Sequence, residues 1–335
     1  MSLIFGDPCG LFYSSTAQVA SGYWQALTAT IHTSGLPAGN VGATALSIGI
    51  NAGVITVPTG IGPYVVGFRL CITGSLTSEQ TIASFFDSSS GTVVTFSVNT
   101  NGAIKVYRGN VGSTLIGTGS TAVTLATNVW AYIELQCSIG AAGIIGVRVN
   151  GVSTLQTTAN TAGVTISSIR LGSNYANYIQ DIYVTNSLGS YNNSYLGDIH
   201  ISVYNPTSNG AHTDYTANGA ASLWQSVDAV TPTDSTVFAS DSNPGDKLSV
   251  NLAPTSVTGS IAGVILVGRM EKTSAGTRTA NLFALNGGTE VDGANIALGT
   301  SYAYATQVVE VDPATGVPFV NSGFNALQVG VATAS

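Results

Sequence analysis

Apolar and polar positions alternate in short runs along residues 92–204. In Tyr132–Ile139, the residues Ile133, Leu135, Cys137 and Ile139 share one face. Tyr132, Glu134, Gln136 and Ser138 share the other. In Asp198–Tyr204, Ile199, Ile201 and Val203 oppose Asp198, His200, Ser202 and Tyr204. Successive side chains point to opposite faces of a strand, so both runs predict strands with one buried and one wet face. Tyr64–Ile72 is largely apolar and reads as a central strand. Further strands are expected at 81–86, 92–99, 104–108, 145–150, 166–172 and 181–185. Asn101-Gly102 and Asn150-Gly151 have the residue types of tight hairpin turns. Many half-buried antiparallel strands joined by such turns make a sandwich or jelly roll. Its core should contain Phe68, Leu70, Ile133, Leu135, Cys137, Val147, Ile182, Ile199 and Ile201.

The rest of the chain carries weaker patterning. Residues 1–45 read as an irregular N-terminal arm. A short helix over 17–31 is disfavoured by Gly22 and by the β-branched residues. The jelly roll is placed at 46–215. Residues 206–220, rich in Asn, Gly, Ser and Thr, read as a linker or an ordered crossing. A C-terminal β domain is expected over 221–335, with strands near 235–240, 247–252, 261–270, 278–285, 302–311 and 325–331. The fold class is thus all-β: a jelly-roll sandwich followed by a second β-sandwich region.

Composition sharpens this picture. The chain has 335 residues, of which 44 % are hydrophobic, so it can build two real cores. Only 7 % are charged, against roughly 25 % in ordinary soluble proteins. Gly, Ser, Thr and Asn stand in their place. Uncharged hydroxyl and amide surfaces desolvate more cheaply than Lys or Glu, which suits protein–protein packing and sugar binding. Net charge is −7, with nine basic residues scattered singly. No basic cluster is present, so nucleic acid is not an expected partner. No apolar run reaches the length of a membrane span. The start, Met1–Asp7, has no signal-peptide pattern, and synthesis in a cytoplasm is expected. The three cysteines show neither zinc nor disulfide spacing, so buried reduced thiols are expected.

Catalytic signatures are sparse. Of the three histidines, His200 lies on a polar strand face, and His32 and His212 fall in loop-like contexts. Glu310 and Asp312 share one strand face, as in a glycosidase carboxylate pair, but Thr315 stands where a third carboxylate would be needed. No catalytic residue and no enzyme activity are expected. Asp181 and Asp198, with Asn177, Asn192 and Asn193 nearby in sequence, are the candidate oxygen ligands for calcium. Calcium is not favoured, because Asp181 can serve a strand start, and no metal or other cofactor is expected. Tyr175, Tyr178, Tyr191 and Tyr195 cluster in sequence and form a candidate sugar-binding or interface surface.

The order of several segments points further. Gly102–Arg108, Asn128–Glu134, Val147–Gly151, Ile169–Gly172 and Gln180–Val184 follow one another as a hairpin, a Trp-led strand, a strand ending in Asn-Gly, and a strand carrying Asp-x-Tyr-Val. This order resembles a concanavalin-A-like, laminin-G-type jelly roll. More narrowly, the chain is similar to tailed-bacteriophage virion proteins that carry such a roll. Leu3–Asp7, Phe12-Tyr13, Trp224, Val227–Phe238, Glu310–Gly316 and Asn325–Gly330 extend that resemblance across nearly the whole chain. Gln180 and Asn186 depart from it where acidic residues often stand, which argues against calcium there. The resemblance implies a non-enzymatic structural protein located in the virion, as capsid decoration or cement, or as a tail fibre or minor tail component. Expected partners are other virion proteins and further copies of the chain, a homo-oligomer with a trimer as first candidate. The alternative is a carbohydrate-binding module that recognises a host glycan.

Overall fold

Thirteen strands of the first compact unit hydrogen-bond into one continuous antiparallel sheet. The structure is a computed structural model that describes residues 2–9, 24–32, 34–38, 44–161, 163, 165–172, 177–229 and 236–335. It divides into one unit of Met1–Ala20 with Trp24–Ser202 and another of Ser21–Tyr23 with Val203–Ser335.

The first unit contains β1 (Leu3–Asp7), β2 (Ala26–His32), β3 (Ala45–Gly60), β4 (Tyr64–Ile72), β5 (Gln80–Phe86), β6 (Thr92–Val98), β7 (Ile104–Arg108), β8 (Thr114–Thr118), β9 (Trp130–Cys137), β10 (Gly143–Val149), β11 (Val152–Ala159), β12 (Ile166–Leu171) and β13 (Asn177–Asn186). The strand order is β11-β10-β9-β4-β13-β3-β12-β5-β6-β7-β8, with β1 on β13 and β2 on β3. The 16-residue β3 makes the corner. Its Leu46 faces Ile179 of β13, whereas its residues from Gly53 onward pair with β12. The two ends of the sheet meet, because the Ser120 amide after β8 donates to the Thr154 carbonyl in β11 (2.9 Å). The sheet therefore closes on itself as a jelly-roll sandwich. Phe68, Leu70, Ile133, Leu135, Cys137, Val147 and Ile182 are at most 2 % exposed in one half. Ile55, Phe85, Val94, Phe96, Val106, Ile169 and Leu171 are equally buried in the other.

The hairpin between β10 and β11 turns at Asn150 (φ 51°) and Gly151 (φ 78°), both left-handed, as a primed two-residue turn demands.

Several expectations are corrected here. Leu3–Asp7 and Ala26–His32 are strands inside the stretch read as an irregular arm, and β2 occupies the end of the suggested helix. Asp198–Tyr204 forms no strand. Ile199 and Ile201 are half-buried, not core. The run alternates in sequence, but its backbone pairs with no neighbour along its length. Instead its polar groups hold it across the outer face of the sheet, as described below.

The second unit contains β14 (Pro206–Thr213), β15 (Thr216–Asn218), β16 (Phe238–Ser240), β17 (Lys247–Leu252), β18 (Val264–Met270), β19 (Thr279–Asn286), β20 (Thr289–Asp292), β21 (Ile296–Ala297), β22 (Ala303–Val309) and β23 (Gln328–Thr333). Its main sheet runs β14-β17-β23-β19-β20, with β21 on β19. β15 pairs with β16, and β18 with β22. Leu266, Leu282, Ala284, Val309, Phe319, Phe324 and Leu327 form its core, Phe324 coming from the short helix Asn321–Asn325. Most of the expected linker is β14 and β15. β14 has no apolar alternation to reveal it. Side chains hold its irregular stretch: Gln328 Oε1 accepts from the Ala211 amide (2.8 Å) and Ser249 Oγ from the His212 amide (2.9 Å).

Candidate functional site

The outer face of β13, β4, β9 and β10 carries most of the polar chemistry of the first unit. Register places Tyr183, Gly67, Glu134 and Arg148 in one row across these strands. Gln180, Arg69 and Tyr132 make a second row, and Tyr178, Cys71 and Trp130 a third. Alternation predicts this face to be wet, yet Glu134 and Tyr183 are fully buried and Tyr132 is 1 % exposed. The reason is a roof. The segment leading to Ile201 crosses the face and gives it the amides of Leu196, Gly197 and Ile201.

Glu134 Oε1 accepts from the Tyr183 hydroxyl (2.5 Å) and from the Gly197 amide (2.8 Å). Tyr183 Oη in turn accepts from the Leu196 amide (3.0 Å). Glu134 Oε2 is buried without a hydrogen-bond partner. The Tyr183 ring can lie this deep because Gly67 has no side chain: a Cβ there would stand 2.0 Å from Cε1 of the ring. Burial pushes the Tyr183 hydroxyl well up, with Tyr132 and Glu134 adding to it.

Asp181, at φ 50°, bulges from β13 and anchors the other end of the roof. It accepts from the Ile201 amide (2.9 Å), lies 3.2 Å from His200 Nδ1 and pairs with Arg69 Nε at 3.4 Å. Arg69 also bridges to Asp198. Burial pushes the Asp181 carboxyl up, and the Ile201 amide, His200 and Arg69 pull against it. Both carboxylates engage the Arg69 guanidinium, and Asp181 also takes the Ile201 amide. Asp181 and Asp198 are therefore brought together around a cation, not around an empty oxygen cage. Among the described residues no group of three or more His, Cys, Asp or Glu is placed to hold a metal.

The candidate tyrosines separate. Tyr175 lies outside the described residues. Tyr178 is half-buried, tilted against Trp130 (centroids 6.4 Å) and edge-on to His32 (4.8 Å). Tyr195 sits under the Arg148 guanidinium (4.0 Å), and its hydroxyl donates to Gln136 (3.2 Å). Burial lifts that hydroxyl to about 12. Tyr191 is 37 % exposed. Trp130 and Gln136 are six residues apart on β9, roughly 20 Å at strand rise, so Tyr178 and Tyr195 mark two places rather than one. Sequence reasoning missed that Trp130 completes the Tyr178 place, although the Trp-led strand was its signal.

In the carboxylate pair of the second unit, Asp312 serves its own turn. β22 ends at Val309, so Glu310 and Asp312 lie beyond the strand, contrary to the shared strand face expected of them. Asp312 Oδ1 accepts from Asn286 Nδ2 (2.7 Å) and from the Ala314 amide (2.9 Å), and its carbonyl accepts from the Thr315 and Gly316 amides. It organises the turn 312–317.

No protein-family model matches the sequence. No curated protein matches it either. Among solved structures, it is similar to an endo-β-1,4-glucuronan lyase from the fungus Trichoderma reesei, at 13 % identity and TM-score 0.39, over 55 % of this chain and 95 % of that one. A galectin, LEC-6, from Caenorhabditis elegans aligns at 17 % identity and TM-score 0.29, over 39 % and 88 %. A pentraxin from Limulus polyphemus aligns at 17 % and 0.31, over 38 % and 65 %. At such values a likeness transfers neither activity nor ligand. What the chain's own strands establish is an all-β protein of antiparallel sheets.

Proposed function

We propose that this chain is a non-catalytic structural protein of a tailed-bacteriophage particle, either capsid decoration or a tail component. It acts by packing against other virion proteins and further copies of itself. The observation that supports this reading is where its few cations go. Arg69 pairs with Asp181 and Asp198, Lys105 with Glu79, and Lys247 with Glu290. Arg148, Arg170 and Arg269 lie over Tyr195, Phe86 and the Tyr302 and Tyr304 rings. Charges turned onto the protein's own groups leave hydroxyls and amides outward. Edge strands β11 and β14 show this, with Ser153, Gln156, Thr158, Thr207, Ser208, Asn209 and Thr213 exposed beside Val152 and Ala211. Such a surface desolvates cheaply against a neighbour. The resemblance of the sequence to virion proteins supplies the particle.

The test is immunogold negative-stain microscopy of purified particles with an antibody to this chain, alongside sedimentation of the isolated protein. Label at repeated positions and a trimeric or other homo-oligomeric species are expected. Particles that carry no label would overturn the proposal. A second reading, recognition of a host glycan, is favoured by the half-buried Trp130–Tyr178 pair, whose rings offer a stacking surface. Binding on a glycan array that is lost in Trp130→Ala would promote it.

A further inference from the structure

We propose that the unroofed end of the outer face, from Thr30 on β2 across Ser47 and Tyr178 to Trp130 on β9, is a binding strip for a neutral oligosaccharide chain that runs across the strands. The strip rests on the glycan reading of the Trp130–Tyr178 pair and gives it a ligand class and an extent. Tyr178, Cys71 and Trp130 form one row. On the other side of β13, Ile179 pairs with Leu46, and Ser47 pairs with Thr30. Ser47 and Thr30 therefore continue the row of Tyr178. Leu46 and Ile179 are buried in the core, so by alternation Thr30, Ser47, Tyr178 and Trp130 point outward.

Access separates this row from the rest of the face. The roof gives its amides to Glu134, Tyr183 and Asp181. Among the described residues none of its hydrogen bonds reaches the row of Trp130. Thr30 is exposed, and Ser47, Tyr178 and Trp130 are half-buried. Both rings are held in place: Trp130 Nε1 donates to the Pro37 carbonyl (3.2 Å), and His32 stands edge-on to Tyr178 at 4.8 Å. Cys71 between them is fully buried, so the rings present the surface there. Their planes are inclined by 32° with centroids 6.4 Å apart, and one ligand can lie against both. Aromatic faces carry negative potential, which attracts the C–H groups of a sugar ring. Among the described residues the hydroxyls of Thr30, Ser47 and Tyr178 make no hydrogen bond within the protein. They are left to donate to and accept from sugar hydroxyls. Charge decides the class of sugar. No Asp or Glu stands in this row or in the neighbouring row of His32, Gln180, Arg69 and Tyr132. Arg69 is already paired with Asp181 and Asp198, so an acidic sugar would find no free guanidinium. The strip also has length. Thr30 and Trp130 stand four strand spacings apart, roughly 19 Å, which is wider than one sugar ring.

The test uses the full chain and calorimetric titration with disaccharides and tetrasaccharides of glucose, galactose and mannose, and with the tetramer of glucuronic acid. Binding of at least one neutral tetramer is expected, tighter than its disaccharide and tighter than the acidic tetramer. Trp130→Ala should weaken it by about tenfold or more. Trp130→Phe should weaken it less, since the smaller ring keeps part of the stack. Thr30→Val, at an exposed position, should weaken the tetramer and leave the disaccharide unchanged. Thermal melts of each variant confirm that it is folded. Equal affinity for tetramer and disaccharide, or tetramer affinity unchanged in Thr30→Val or in folded Trp130→Ala, would overturn the strip. Binding of the acidic tetramer alone, lost in Trp130→Ala, would overturn the neutral class and keep the glycan reading. No binding of any of these sugars would overturn the strip, and a blank glycan array would take the glycan reading with it. Incorporation of Trp130→Ala into particles is expected to be normal, so failure of the strip and failure of the packing reading give different results.

Discussion

Replacing Tyr183 by Phe removes one oxygen atom and tests the roof directly. The ring still fits on Gly67, so packing is nearly unchanged. The lost hydroxyl donates to Glu134 at 2.5 Å and accepts from the Leu196 amide at 3.0 Å. Glu134 Oε2 already lacks a partner, so the variant leaves the carboxylate held only by the Gly197 amide. A hydrogen bond to a charged group contributes about 1.5–3 kcal/mol, and a buried amide without an acceptor costs about 1–3 kcal/mol. Together they amount to about 3 kcal/mol or more, allowing for partial rescue by water. In a unit of this size each kcal/mol moves the melting temperature by about 2–4 °C, so a drop of about 6–12 °C is expected by calorimetry. Hydrogen exchange supplies the specific readout: amides of residues 194–201 should lose protection more than those of β6 or β7. A melt within about 2 °C of wild type, with protection of the roof unchanged, would refute the buried Tyr183–Glu134 pair and with it the account of this face.

Three further outcomes follow from the same geometry. Gly67→Ala should destabilise more than Gly146→Ala in thermal melts. The added Cβ meets the body of the Tyr183 ring in the first case and the far ends of side chains in the second, the Tyr195 hydroxyl at 1.9 Å and Gln156 Oε1 at 2.8 Å; equal melts would contradict the packing described. Burial raises the Glu79 carboxyl, but hydrogen bonds from Ser97, Lys105 and Tyr107 outweigh it and leave it below its ordinary value of 4.5. A depressed carboxyl stabilises the fold above its unfolded value, and that contribution is lost as pH falls through the folded one. The stability gap between wild type and Glu79→Gln should therefore be full at pH 6 and shrink below about pH 4, as followed by urea titration; a gap independent of pH would exclude this role. Chelation with EDTA should leave the melting temperature unchanged, since Arg69 occupies the space between Asp181 and Asp198. A drop restored by calcium would show that these carboxylates hold a metal.

The sandwich was legible where burial writes a period of two into the chain. β9, β10 and β12 bury alternate apolar side chains, and the sequence shows them as such; β4, buried on both faces, shows as a nearly continuous apolar run. Asn150-Gly151 was legible because only a few residue types accept two successive left-handed conformations. β8, β11 and β14 were not legible. They run along sheet edges where polar residues and the apolar Leu115, Val152 and Ala211 alike are exposed, so no hydrophobic period marks them. Their places are fixed by long-range partners, such as the Ser120–Thr154 bond and the Gln328–Ala211 bond.

The candidate site was misread for a more specific reason. Polar residues at alternate positions say that one face is not core, and Tyr132, Glu134 and Gln136 satisfy that pattern. They do not say whether water or backbone satisfies them. Here the satisfying groups are the amides of Leu196, Gly197 and Ile201, more than 60 residues from Glu134 in the first two cases and 20 from Asp181 in the third. Asp198–Tyr204 then imitates a strand because a roof, too, must put apolar side chains down and polar ones aside. The local signal that separates the two is Gly197, left-handed at φ 81° just before the run. A strand would gain nothing from that conformation, whereas a segment that must aim its amides at one buried carboxylate does. Gly197→Ala should therefore strain the backbone at a point where the Cβ itself meets nothing within 4 Å. It should loosen residues 194–201 in hydrogen exchange while β4 and β9 keep their protection; global unfolding without that local step would place the segment among the strands after all.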